Sequence, residues 1–116
     1  MPPQLTDPGR KPQTTPPGKY RQFAEQHPQI IAAYEQLGSV THQGGPLDAP
    51  TRELIKLAFA IGAGLESAAH AHARLAREVG ASDEDVRHVP LLATTTLGFP
   101  SMMRARSWVE DVLEPD

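Results

Sequence analysis

The sequence predicts an all-α protein, and two observations carry that reading. Beyond Lys19, apolar residues recur three and four positions apart, and nowhere does a period-two alternation last long enough for a strand. Between the apolar runs stand helix starts and stops: Asp48 and Ser82 as caps, proline in first turns, glycine at ends.

In chain order, six of the twelve prolines fall within the first 17 residues, in MPPQLTDPGRKPQTTPP. With almost nothing to bury, residues 1–18 are expected to be a disordered or extended tail, and they lack the apolar core of a signal peptide. Residues 19–116 are expected to form one helical domain. Lys19 to Gln26 predicts a short helix, ended by the His27-Pro28 step. Pro28 then opens a helix over Gln29–Leu37, with Ile30, Ile31, Tyr34 and Leu37 on one side and Gly38 as its stop. Ser39 to Leu47, which holds Gly44-Gly45-Pro46, reads as a loop.

The centre of the chain is LDAPTRELIKLAFAIGAGLESAAHAHARLAREVG. Asp48 caps its first helix and Pro50 sits in the first turn. Leu54, Leu57, Ala58 and Ile61 make one apolar side, and Ile55, Phe59 and Leu65 make a second. A helix apolar on most of its circumference must be surrounded by sister helices or by other subunits. Gly62 and Gly64 mark a joint. The next helix, Glu66 to Val79, carries the stripe Leu65, Ala68, His72, Leu75 and Val79 and stops at Gly80. These two helices are expected to pack as a central antiparallel pair. Ser82 caps a further helix with three acids in its first turn, and Pro90 should kink or split it. Gly98-Phe99-Pro100 reads as a turn, with Ser101 capping a last helix whose apolar side is Met102, Ala105, Val109, Val112 and Leu113.

Composition narrows the function classes. Residues 1–19 hold three cations against one acid, a net +2, so the total of −3 leaves −5 for the body. An acidic body without a basic stripe argues against nucleic acid, and no run is long and apolar enough for a membrane. The cysteine count is zero, which removes disulfides, thiol nucleophiles and thiolate metal sites and suits a cytoplasmic protein. An ordered part of about 95 residues buries only roughly 65% of its unfolded surface. Oligomerisation is therefore expected.

Among residues that could carry chemistry, His70 and His72 stand two apart, about 200° around a helix, and cannot readily chelate one ion from the same helix. No acid is spaced along the chain to complete a shell with either, so no metal is expected, and no cofactor. His70 shares its face with Glu66 and Arg74 and reads as a solvated surface histidine. His72 lies on the apolar stripe, either as core filling or as half of an acid–base pair. Glu53 lies at a comparable distance on the other side of the glycine joint and is the candidate partner; its bland role is to stabilise the first turn.

The stretch GPLDAPTRELIKLAFAIGAGLESAAHAHARLAREVGASDEDV, followed by LGFPSMMRA, resembles the carboxymuconolactone decarboxylase family and its alkylhydroperoxidase D-like relatives. The likeness runs from about Tyr20 to Leu113. In the peroxidase-like branch a Cys-x-x-Cys-x-x-x-His follows a glutamate twelve residues before the first cysteine. Here the resemblance sets Glu53 on that glutamate and His72 on that histidine, with Leu65 and Ala68 where the cysteines stand. The relay is kept and the redox pair is gone, so a thiol peroxidase is not expected. Some cysteine-free relatives carry a glutamate four residues before the histidine, where this chain has Ala68. The resemblance implies a helical subunit that assembles as trimers or hexamers. It leaves two functions open. One is a lyase on a small carboxylated substrate, with Glu53 and His72 catalytic and Arg52, Lys56 or Arg74 meeting the carboxylate. The other is a silent family member that binds or scaffolds as an oligomer.

Overall fold

The computed structural model describes residues 17–115. The tail expected over 1–18 lies outside them, apart from two residues that open the first helix. Six α-helices follow in order: α1 Pro17–Gln26, α2 Pro28–His42, α3 Ala49–Gly62, α4 Glu66–Glu78, α5 Asp83–Leu92 and α6 Phe99–Leu113. A short 3-10 turn, Ala93–Thr95, links the last two, and no strand occurs among the described residues. The chain divides into two compact units between Pro46 and Leu47.

In the first unit α1 packs on α2. Helix α2 continues four residues past Gly38, the stop expected from sequence. Gly38 does not take the left-handed conformation that ends a helix, and the Thr41 hydroxyl donates to the Leu37 carbonyl at 2.7 Å across it. A glycine with ordinary helical angles only lowers helix propensity. The helix stops instead just before Gly44-Gly45-Pro46. No residue of α2 is buried, and Ile30, Tyr34 and Leu37 are all exposed.

In the second unit the four helices form a closed ring of contacts: α3 packs on α4, α4 on α6, α6 on α5, and α5 back on α3. Asp48 caps α3 by accepting from the Thr51 N–H at 3.0 Å, and that bond holds its carboxyl below the ordinary value of 3.8. At the joint the two glycines differ. Gly62 is the last helical residue of α3, whereas Gly64 has φ +72° and makes the turn. Leu65 N–H reaches back to the Ala60 carbonyl and Gly64 N–H to that of Ile61, the paired bonds of a Schellman stop. Gly80, at φ +112°, ends α4 with the same pair of bonds, to Ala76 and Arg77.

The core is Leu57, Ala60 and Ile61 of α3; Ala69, Ala73 and Ala76 of α4; Val86 of α5; and Ala105, Trp108, Val109 and Leu113 of α6. On α4 the buried line is thus one position round from the expected stripe, whose ends Leu65 and Val79 are exposed. Small alanines let α4 lie close to α3 and α6 at once, which pushes its larger side chains to the flanks. Helix α5 passes through the buried Pro90 for two more residues and then tightens into the 3-10 turn, because proline gives no N–H and crowds the carbonyl four back. Helix α6 begins at Phe99 rather than after Ser101, with Gly98 at its cap and Pro100 in the first turn. Arg87 grips Glu110 with two bonds, 2.8 and 3.1 Å, and so ties α5 to α6.

Candidate active site

Glu53 sits in the second turn of α3, on the side that faces α4, and is the one buried charged residue among the described residues, at 7% exposure. A carboxylate so placed needs strong hydrogen-bond donors. One comes from α4, folded back by the Gly64 turn: His72 Nδ1 lies 2.8 Å from Glu53 Oε1. An ionised carboxylate only accepts, so Nδ1 carries the proton of this bond. The His72 side chain keeps 24% of its surface exposed, more than its place on the predicted stripe implied, because the alanine line took the centre of the interface. A histidine with one nitrogen anchored and its edge reachable can move protons.

The expected cations are less tightly gathered. Arg52 donates to the Leu47 carbonyl at 2.7 Å, which fastens the chain entering α3. Lys56, half-buried one turn after Glu53, shares that side of α3. Arg74 is half-buried on α4, about 200° around the axis from His72.

Residues 28–111 match the carboxymuconolactone decarboxylase family. The chain belongs to that family. An uncharacterized protein of Haemophilus influenzae (strain ATCC 51907 / DSM 11121 / KW20 / Rd) is 43% identical over 54 residues, a match that spans 47% of this chain and 48% of that protein. The chain therefore spans about half the length of this relative. No solved structure matches.

His70 differs from its sequence reading. It is not simply solvated: its Nε2 lies 3.1 Å from Asp111 Oδ2 on α6 and 3.9 Å from Glu66 Oε2 on its own helix. Asp111 is 41 residues away, so no spacing rule along one helix could have found it. Elsewhere, a groove of roughly 800 Å³ opens between α3 and α5. Leu54, Ile55, Ala58, Phe59, Val89 and Leu92 line it, and neither Glu53 nor His72 does.

Proposed function

We propose that this family member is a decarboxylase-like lyase that acts by acid–base chemistry on a small carboxylated substrate, through His72 and Glu53. The observation that carries the reading is the 2.8 Å bond between a buried carboxylate and a histidine that still reaches solvent. In the proposed step the bond from carbon to carboxylate breaks, its electron pair passes into a carbonyl conjugated to that carbon, and carbon dioxide leaves. The His72 imidazolium then gives its Nε2 proton to the carbon. Glu53 stays ionised and holds the ring in one tautomer and one orientation. Lys56, on the Glu53 side of α3, is the best-placed partner for the substrate carboxylate, with Arg52 next. Peroxide reduction through thiols is not expected, because the chain has no cysteine.

A second reading is a silent oligomeric binding or scaffold protein. It is favoured by the commitment of Arg52 to Leu47 and by a large groove that does not reach His72. Carbon dioxide release from a panel of small acids bearing conjugated carbonyls separates the two. The lyase reading expects turnover with a pH-dependent step that disappears in His72→Gln, with the rate down by roughly 10²–10⁴. Equal behaviour of wild type and variant would leave the scaffold reading standing alone.

A further inference from the structure

Neighbouring histidines on α4 are claimed by different helices. His72 turns to Glu53 on α3, while His70 turns to Asp111 on α6. Around His70 the structure gathers one imidazole and two carboxylates whose donor atoms all lie within 4.8 Å of one another. We propose that Glu66, His70 and Asp111 form a site for a divalent transition-metal ion, with Zn²⁺ the best fit and a coordination position left open to solvent. This inference is independent of the chemistry at His72.

The spacing fits the ion. Nitrogen and oxygen donors at 2.0–2.2 Å from a tetrahedral zinc stand about 3.4 Å apart. The separations here, 3.1 Å from His70 to Asp111 and 3.9 Å from His70 to Glu66, fall on either side of that figure. The supporting backbone is well held. Glu66 and His70 are one turn apart on α4, and the alanine line beside them packs in the same core as Ala105, Val109 and Leu113 of α6. The Glu66 carboxylate is 57% exposed on a flexible stem, so it can make the small adjustment the longer distance asks for. Two carboxylates meet one imidazole here, with the half-buried Arg74 one turn along α4 on the same face. Arg77, two turns along α4, is bound to Asp83 at 3.0 Å and to the Val112 carbonyl, so its guanidinium is already engaged. A nitrogen donor with two oxygens selects zinc-like ions over magnesium or calcium, which prefer all-oxygen shells.

The bland alternative is an ion pair between protonated His70 and its acids, and the experiment separates the two. Full-length, tag-free protein is stripped with chelator and titrated calorimetrically with zinc chloride, then melted with and without the ion. The expected result is saturable binding of one ion per chain and a higher melting temperature, because a ligand of the native state stabilises it. Millimolar magnesium should do neither. His70→Ala and the near-isosteric Asp111→Asn should each weaken zinc binding at least about tenfold while circular dichroism stays unchanged. His88→Ala, on another helix, should bind as wild type does. Absence of saturable binding, or binding that survives both His70→Ala and Asp111→Asn, overturns the proposal.

Discussion

His72 and Glu53 show how one side chain can be tested for two roles. Replacing His72 with alanine removes a donor from a buried carboxylate and should cost about 1–2 kcal/mol in denaturant melts. His72→Gln keeps an N–H in reach of Glu53, so it should melt closer to wild type while losing proton transfer. A variant that kept turnover but lost stability would make His72 structural. Glu110 offers a separate test against pH. The Arg87 bonds hold its carboxyl below the ordinary value of 4.5, so it contributes stability above that value and loses it as the pH falls through the lowered one. Melts from neutral pH to pH 3 should show wild type approaching Glu110→Gln as acid is added. A gap that widened toward acid would contradict the assignment. The pairing of Glu53 with His72 was legible because both lie at similar distances from one glycine joint. That of His70 with Asp111 was not, because it depends on how α6 docks, and no local period encodes docking.

At the level of elements, starts and stops were the readable part. Asp48, Ser82 and Gly80 hold the positions expected of them, since caps and left-handed glycines act through bonds to residues three to five positions away. Gly38 and Ser101 misled for the same local reason: glycine stops a helix only when it takes positive φ, and Gly98 with Pro100 had already opened α6. Which face of α4 is buried was set by two neighbours at once, and a stripe counted on one helix cannot register that. The capping box of α5, Ser82 with Asp85, makes two bonds of 2.9 and 3.1 Å. Ser82→Ala should cost about 1 kcal/mol, a fall in melting temperature of roughly 4–8 °C for a domain of this size. A melting temperature unchanged within a degree would show that α5 is held by its packing alone.

Taken whole, the second unit leaves much apolar surface uncovered. Phe59 is 70% exposed, Leu92 60% and Leu97 46%, all along the groove between α3 and α5. Patches of this kind mark contact sites, and a homo-oligomer, trimer or hexamer, is the proposal they support. Light scattering behind a sizing column at micromolar concentration checks it, and a monomer there would refute it. Among the described residues no helix is long and apolar enough to cross a membrane. The closed ring of α3, α4, α6 and α5 also bears on how the chain finds its structure. Two sides of that ring, α3 with α4 and α5 with α6, join helices adjacent in sequence; the other two, α4 with α6 and α3 with α5, close longer loops. Short loops cost less entropy to close, and the connection from Gly62 to Glu66 is shorter than that from Leu92 to Phe99, so the α3–α4 hairpin should form first, with Gly64 as its pivot. In stopped-flow refolding, Gly64→Ala should slow folding, whereas Arg87→Ala, which loosens only the second hairpin, should chiefly speed unfolding. The reverse pattern would mean that α5 and α6 come together first.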